Sequence, residues 1–153
     1  MGSTRLPGKI LMKINGITIL QCQLQQLDHS LALNDIVLAT TTNPEDDVIE
    51  DFANANSIKV FRGSSLDVLD RYYQCSKRFS LEHIARITSD CPLIDPMVVD
   101  KTIELYSSGK FDYVNNFGGL PYPSGTDVEV FSIGLLEKIH KEFTNDLREW
   151  FSL

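Results

Sequence analysis

The sequence predicts an α/β fold of the three-layer, Rossmann-like kind, in which helices cover both faces of a mostly parallel sheet. Two observations lead to this fold class. Short apolar and β-branched runs alternate with amphipathic segments of about ten residues. Polar residues follow directly after the apolar runs, at the edge where open α/β sheets bind ligands. The length of 153 residues suits one domain, and we expect residues 1–153 to form it.

The first part of the chain begins with a loop and continues as an amphipathic helix. Glycines and a proline lie between residues 1 and 13, which favours a loop. Leucines recur at helical spacing between residues 17 and 33, and this periodicity predicts a helix that buries them. These leucines are Leu20, Leu24, Leu27 and Leu31. Residues 35–40 are mostly apolar and predict a strand.

The next segment alternates helix, strand and helix. Asn43-Pro44 predicts the start of a helix, and the three acids that follow favour the positive end of its dipole. We expect its inner face to consist of Val48, Phe52 and Ala55. A strand over residues 58–61, a polar turn over 62–65 and a helix over 66–79 follow. The buried positions expected in that helix are Leu69, Tyr72, Tyr73 and Cys75.

The remaining elements carry clear start signals. A strand is predicted over residues 84–88 and a helix over 96–107, with Asp95 as its N-cap and Pro96 at its first position. The residues expected on its inner face are Val98, Val99, Ile103 and Leu105. A strand over 111–115, a loop over 117–125 rich in Gly and Pro, and a strand over 127–131 come next. Ser132 is the expected N-cap of a last helix that ends near residue 143.

Asp90 is a candidate metal ligand because it lies just beyond a predicted buried strand. The run Ser89-Asp90-Cys91 falls at the carboxyl end of that strand, the position where ligands collect in open α/β sheets. A carboxylate there is a suitable ligand for a divalent cation. The alternative is that Asp90 only caps a turn. Its position alone does not separate the two interpretations.

Composition and charge exclude several classes of protein. The net charge of −7 argues against a general nucleic-acid binder, which usually carries a basic surface. Residues 1–27 contain three cations and no acid, whereas the rest of the chain has a charge of −10, so we expect a local anion site near the start. No apolar run approaches the roughly 20 residues of a membrane span. Three well-separated cysteines predict reduced thiols in a cytoplasmic protein, and the histidines show no zinc-ligand spacing with them.

The first nine residues resemble a phosphate-binding loop without matching the common motifs. Five residues separate Gly2 from Gly8, and Ile10 stands where a Walker A loop needs a hydroxyl, so that motif is absent. The dinucleotide motif G-x-G-x-x-G is absent as well. What remains is a loop of small residues with two cations, Arg5 and Lys9, that is suited to gripping a polyphosphate.

Residues 3–9, Ser-Thr-Arg-Leu-Pro-Gly-Lys, resemble the S-x-R-L-P-x-K signature of the cytidylyltransferases that activate sugars. Other segments of similarity follow in the same order and extend the resemblance over nearly the whole chain. They are residues 39–47, 61–64, 67–73, 86–95 and 127–131. The chain is most similar to the spore-coat polysaccharide biosynthesis protein F family, which is related to the CMP-sialic acid and CMP-Kdo synthetases.

The resemblance implies an α/β fold of the nucleotide-diphospho-sugar transferase type and a defined reaction. CMP would pass from CTP to a sugar for a cell-surface or spore-coat polysaccharide, with release of pyrophosphate. Arg5 and Lys9 would be the catalytic cations on the triphosphate, and Ser3 would hydrogen-bond a phosphate oxygen. Asp90 would bind Mg²⁺. The implied partners are CTP and a sugar. Composition argues against nucleic acid and membrane as partners, and a homodimer in which a second copy completes the sheet is an open alternative to a fragment.

Four further residues are assigned by the resemblance alone. Thr40 and Arg71 lie in segments that line the nucleotide pocket of similar proteins. Asp127 and Glu129 would face the sugar, with an exposed face of an edge strand as the alternative.

Two departures from the family pattern leave other interpretations open. In the family an apolar strand ending in Ala-Arg precedes the loop, and a second acidic metal ligand lies further along the chain. This sequence contains neither, so we expect a sheet that lacks its first strand, in a truncated domain or a chain with a mis-set start. A truncated member without catalytic activity is one alternative. A glycosyltransferase with a nucleotide-sugar donor is another, although such enzymes commonly carry D-x-D where this chain has Ser89-Asp90-Cys91.

Overall fold

A computed structural model describes residues 6–117 and 122–142, which form the alternating strands and helices that the sequence predicts. The strands are β1 (Lys13–Ile14), β2 (Ile17–Thr18), β3 (Val37–Thr41), β4 (Lys59–Gly63), β5 (His83–Arg86), β6 (Tyr113–Asn115) and β7 (Glu129–Ser132). The helices are α1 (Ile19–Leu27), α2 (Asp47–Ala55), α3 (Val68–Phe79), α4 (Pro96–Ser107) and α5 (Ile133–Glu142). Short 3-10 helices lie at Lys9–Leu11 and Pro44–Asp46. None of these helices combines the length and apolar character needed to span a membrane.

The chain divides into two compact units, each built from two stretches of sequence. The first contains the described parts of residues 1–34 and 85–131, and the second those of 35–84 and 132–153. The buried apolar residues of the first unit include Leu20, Leu27, Cys91, Ile94, Val98, Val99, Val114, Val128, Val130 and Phe131. Those of the second include Ile49, Ala53, Leu69, Cys75, Ile84 and Leu136.

Strands β1 and β2 form an antiparallel hairpin that the sequence analysis missed. Asn15 and Gly16 make its turn with φ angles of 52° and 87°. Both residues therefore have the left-handed conformation of a type I′ turn, for which Asn-Gly is the preferred pair. The dipeptide itself is the signal that identifies the hairpin.

Helix α1 is shorter than predicted at both ends because of this hairpin and of a side-chain contact beyond Leu27. The helix begins after Thr18, whose Oγ1 accepts a hydrogen bond from the Gln21 backbone N–H at 3.1 Å. After Leu27 the chain turns, and the Asp100 carboxylate accepts the backbone N–H of Leu31 at 3.0 Å. The prediction that Leu31 lies on the inner face is wrong, since 95% of that residue is exposed.

Helix α2 presents a different face to the core from the one predicted. Ile49 and Ala53 are buried, whereas Val48 is 44% exposed, so the predicted inner face is out of phase. Helix α2 packs through Ile49 and Ala53, so its buried face is set by tertiary packing and not by the apolar spacing that began at Val48. Asp46, at the end of the preceding 3-10 helix, is also buried.

The predictions for α3 and α4 are mostly confirmed. Leu69 and Cys75 are buried in α3, but Tyr72 and Tyr73 are only half-buried. The bounds of α4 are those predicted. Val98 and Val99 face the core as expected, Ile103 is half-buried, and Leu105 is 48% exposed.

Two predicted helix caps are present. The Asp95 carboxylate accepts the backbone N–H of Met97 at 2.8 Å at the start of α4. Ser132 Oγ accepts the backbone N–H of Leu135 at 3.1 Å at the start of α5. The predicted end of α5 near residue 143 lies outside the described residues.

Among the described residues the longer strands form two small sheets. Strands β3 and β4 pair in parallel, as expected for successive strands joined by a helix. The other sheet has the order β5-β7-β6, in which β6 and β7 are antiparallel and Asn115 pairs with Glu129. Since β7 is the middle strand, the alternative that residues 127–131 form an edge strand is wrong.

Candidate functional site

Lys9 is presented by a tight turn at the start of the described chain. Gly8 has a φ of 71°, which suits glycine because a Cβ would strain this left-handed conformation. The turn continues into the 3-10 helix, where the Leu11 backbone N–H donates to the Gly8 carbonyl at 3.0 Å. The turn and its short helix therefore fix the backbone of the predicted phosphate-binding lysine.

Asp90 lies in the loop that joins β5 to α4. Strand β5 ends at Arg86, and the exposed residues 88–90 follow before the chain is buried again at Cys91. The Thr88 carbonyl accepts a hydrogen bond from Gln23 Nε2 at 2.7 Å. The Thr88 hydroxyl lies 3.3 Å from Cys91 Sγ. The loop is thus held by side-chain contacts on both sides of Asp90.

Lys9 and Asp90 form an ion pair although 81 positions separate them in the sequence. The Lys9 side chain is 29% exposed and that of Asp90 41% exposed, so both remain accessible to a ligand. The hydrogen bond from Lys9 holds the pKa of Asp90 below its usual range, against the effect of burial, and the Thr88 hydroxyl adds to this. The structure therefore brings together the predicted phosphate cation and the predicted metal ligand.

Asp127 lies near the same loop, since the charges of both Asp90 and Asp127 act on the Cys91 thiol. Burial raises the pKa of the Cys91 thiol, and these carboxylates reinforce the effect. A buried thiol with a raised pKa is a poor nucleophile, which agrees with a packing role for this cysteine.

Glu129 is engaged by two partners within the first unit. Its carboxylate forms an ion pair with Arg86, and each of these side chains is only 14% exposed. The Tyr113 hydroxyl donates to the other carboxylate oxygen at 2.7 Å. Burial and the Glu129 carboxylate raise the pKa of Tyr113.

Arg86 and Tyr113 were not among the predicted site residues. The signal for Arg86 is a cation inside an apolar strand, because a buried charge requires an acidic partner. The prediction that Glu129 faces the sugar stays a prediction.

Thr40 and Arg71 belong to the second unit, where each holds a turn. The hydroxyls of Thr40 and Thr41 donate to the buried Asp46 carboxylate at 2.7 and 2.6 Å. Arg71 Nη1 donates to the Ser64 carbonyl at 2.5 Å. Gly63 allows this approach, since a Cβ there would lie 2.9 Å from Arg71 Cγ. The nucleotide-binding roles of Thr40 and Arg71 stay predictions.

Arg62 is a further anchor of the second unit that the sequence analysis missed. It donates to the carbonyls of Thr41 and Asn43, each at 2.9 Å. It also pairs with Asp47 and Glu50 at 2.6 and 2.9 Å. These contacts fix the turn between β3 and α2.

Among the predicted phosphate and metal ligands, the structure describes Lys9 and Asp90. Arg5 and Ser3 lie outside the described residues. Among the residues that the structure describes, no three His, Cys, Asp or Glu side chains gather into a metal cluster. A single accessible carboxylate such as Asp90 nevertheless suits Mg²⁺, which is commonly held by one or two carboxylates together with waters and substrate phosphates.

A family model described as cytidylyltransferase matches residues 1–142. An uncharacterized protein of Methanocaldococcus jannaschii is 41% identical over 140 residues, which make up 92% of this chain and 56% of that protein. The spore coat polysaccharide biosynthesis protein SpsF of Bacillus subtilis is 31% identical over 145 residues, or 92% of this chain and 59% of SpsF.

The fold is also similar to a solved structure. A cytidylyltransferase from Leptospira borgpetersenii matches with a TM-score of 0.87 and 38% identity, over 94% of this chain and 61% of that one. The predicted fold class, the α/β fold of nucleotide-diphospho-sugar transferases, is thereby confirmed. The chain spans less than two thirds of the length of each of these relatives.

Proposed function

The chain belongs to the cytidylyltransferase family, and from this premise we propose that it acts in the transfer of CMP from CTP to a sugar, with release of pyrophosphate. The sugar would be one used in a surface polysaccharide, by analogy with the name of the Bacillus subtilis relative. The unpaired cysteines, Cys22, Cys75 and Cys91, agree with a cytoplasmic site of action.

The observation that carries this proposal is the ion pair between Lys9 and Asp90. A triphosphate with its divalent cation needs a cation and a carboxylate within a few ångströms of each other. The N-terminal turn supplies the cation and the loop after β5 supplies the carboxylate, and both side chains are partly exposed. The ligand would take over both charges, with Lys9 passing to phosphate oxygens and Asp90 to the metal.

In the proposed reaction a sugar oxygen attacks the α-phosphorus of CTP. The bond from that phosphorus to the bridging oxygen breaks and pyrophosphate leaves; where the attacking oxygen belongs to a hydroxyl, its proton passes to solvent. Lys9 and Arg5 would stabilise the charge that grows on the phosphates, and Ser3 would orient them by a hydrogen bond. Asp90 would hold Mg²⁺, which when bound supplies Lewis-acid stabilisation of the phosphate oxygens.

The remaining predicted residues are assigned to the sugar or to the nucleotide. Asp127 would face the sugar, and the action of its charge on the Cys91 thiol supports a position near Asp90. Glu129 would contact the sugar while its carboxylate remains bound to Arg86 and Tyr113. Thr40 and Arg71 would contact the nucleotide.

Calorimetry with CTP and with UDP-glucose, each with Mg²⁺, tests the proposal against the glycosyltransferase alternative. We expect CTP to bind and UDP-glucose not to. Lys9→Met should weaken CTP binding at least about tenfold, because losing a hydrogen bond to a charged group costs about 1.5–3 kcal/mol. Lys13→Met is the matched control, since it removes the same charge from an exposed position on β1.

Pyrophosphate release with CTP, Mg²⁺ and a panel of acidic and deoxy sugars tests catalysis itself. Lys9→Met or Asp90→Asn should lower the rate of pyrophosphate release about a hundredfold, as for other lost electrostatic groups in preorganised sites. Preference for UDP-glucose, or equal CTP binding by Lys9→Met and Lys13→Met, would refute the proposal.

A further inference from the structure

Gln23 is a buried polar residue on a helix face that otherwise carries leucines. It is 3% exposed, and it lies between Leu20 and Leu27 on the inner face of α1, which are 2% and 7% exposed. Leucine or methionine would fill this position without the cost of burying an amide. The buried amide at this position therefore indicates a hydrogen bond that an apolar side chain could not make.

The partner of Gln23 shows what that use is. Its Nε2 donates to the Thr88 carbonyl at 2.7 Å, across 65 positions of sequence. Strand β5 has ended at Arg86, so Thr88 lies beyond the hydrogen bonds of the sheet. Gln23 thus provides the backbone partner of a loop residue that no strand pairing holds.

Thr88 and Cys91 flank Asp90 in the chain and contact each other. The Thr88 hydroxyl lies 3.3 Å from Cys91 Sγ. A fixed Thr88 backbone therefore fixes the orientation of the carboxylate that meets Lys9. The same contact ties the loop to α1, whose start is secured by the Thr18 cap.

We propose that Gln23 is a positioning residue that holds the Thr88–Asp90 loop so that the Asp90 carboxylate faces the divalent cation of a bound nucleotide. This inference rests on the proposed function. Gln23 touches neither nucleotide nor metal and acts through the backbone of Thr88. Groups that orient a metal ligand in this way typically contribute a factor of 10–100 to metal affinity.

Gln23→Met tests the role because methionine keeps the length of the side chain and removes its donor. Gln25→Met is the matched control, on the exposed face of the same helix. Mn²⁺ replaces Mg²⁺ as the probe, and its affinity for the chain saturated with CTP is measured by electron paramagnetic resonance. The affinity of CTP alone, in EDTA, is measured by calorimetry.

We expect Gln23→Met to weaken Mn²⁺ binding about tenfold and to leave metal-free CTP binding within about twofold, with Gln25→Met unchanged in both. Unchanged Mn²⁺ affinity overturns the inference while leaving the proposed function intact. A parallel loss of Mn²⁺ and CTP affinity also overturns it, because it indicates a purely structural role. If the unsubstituted chain binds CTP but not Mn²⁺, this inference fails together with the proposed metal site at Asp90. If the chain binds neither, the inference fails together with the proposed nucleotide binding.

A measurement on the unsubstituted chain covers the case in which Gln23→Met does not fold. The side-chain amide resonances of Gln23 are followed by ¹⁵N NMR while Mg²⁺ is added to the CTP-saturated chain. A positioning role predicts slow solvent exchange of this amide and a shift on addition of Mg²⁺, with the Gln25 amide unaffected. A rapidly exchanging Gln23 amide that does not respond to Mg²⁺ overturns the inference.

Discussion

Lys9 and Asp90 neutralise each other in the ligand-free chain, although the proposed function gives each of them a different partner. The pair is partly exposed, so its contribution to stability is that of a surface ion pair, typically below about 1 kcal/mol. Breaking this pair, so that Lys9 contacts phosphate and Asp90 contacts the metal, therefore costs little free energy. A site that must open to a charged ligand benefits from a weak internal pair of this kind.

The acid stability of the chain should depend on this pair. Lys9 depresses the pKa of Asp90 below the ordinary value of 3.8, so the stabilising contribution is fully present above that value. It is lost as the pH falls through the depressed pKa of the folded state. We expect the free energy of unfolding of the unsubstituted chain to exceed that of Lys9→Met at pH 5, and this difference to shrink as the pH falls well below 3.8. Urea unfolding across this range measures it, and a difference that does not change with pH would contradict the assignment.

The residues that the sequence analysis missed have partners far away in the chain. Nothing local to Glu129 indicates that Arg86 and Tyr113 bind its two oxygens, because those partners lie 43 and 16 positions away. Lys9 and Asp90 were identified from different local signals, the turn and the strand end, and were expected to converge on the same triphosphate and Mg²⁺; the fold brings the two side chains into contact. Gln23 escaped notice because a glutamine in a helix is ordinary until its burial is known.

At the level of the secondary-structure elements, local signals were sufficient to predict where a helix starts when the sequence contains a capping residue. Asp95-Pro96 and Ser132 define the starts of α4 and α5 because the cap and the helix are adjacent in the chain. Periodicity identified Leu20 and Leu27 on the inner face of α1 but not the ends of that helix, and for α2 it gave the wrong inner face. An element's existence is thus a local property, whereas its ends and its buried face depend on what it packs against.

Two glycine-to-alanine substitutions test whether the positive φ of Gly16 determines the stability of the turn between β1 and β2. A Cβ on Gly16 would meet nothing within 4 Å, so Gly16→Ala changes only the strain of the positive φ of 87°. We expect it to lower the free energy of unfolding by about 1–2 kcal/mol. Gly134, in α5, has only an ordinary contact of 3.7 Å for a Cβ, and Gly134→Ala should stabilise the chain by about 0.4–1 kcal/mol.

Urea denaturation of both variants measures these opposite effects under the same conditions. If both substitutions changed the free energy of unfolding in the same direction, side-chain contacts, and not the backbone conformation of the hairpin turn, would determine the change.

For the whole molecule, the sequence predicted the fold class and its family because both rest on many weak signals spread along the chain. Alternating elements and six similar segments agree with one another, so errors of a few residues in single helices do not matter. Sheet order is different, because the insertion of β7 between β5 and β6 depends on pairing between distant strands. Periodicity within one strand holds no information about its neighbours.

The ligand proposed for the first unit should stabilise the chain against unfolding by mass action. At a concentration of CTP one hundred times its dissociation constant, a ligand that binds only the folded state adds about 2.7 kcal/mol. If Asp90 holds the metal, part of that stabilisation requires Mg²⁺ and disappears in EDTA. Asp90→Asn should lose the part that depends on Mg²⁺ and keep the part that depends on Lys9. Lys9→Met should lose the part of the stabilisation that depends on Lys9 and keep the part that depends on Mg²⁺.

Thermal unfolding of the unsubstituted chain, the two single variants and their double variant with CTP, in Mg²⁺ and in EDTA, separates these contributions. Equal stabilisation of the unsubstituted chain and Asp90→Asn by CTP with Mg²⁺ would contradict a metal at Asp90. Because Lys9 and Asp90 pair in the free chain, each single variant also removes the cost of breaking that pair when the ligand binds. The two effects should therefore not add: the double variant should lose more ligand stabilisation than the two single losses together. Strict additivity would mean that the two side chains serve the nucleotide independently, and that their contact in the free chain has no part in binding.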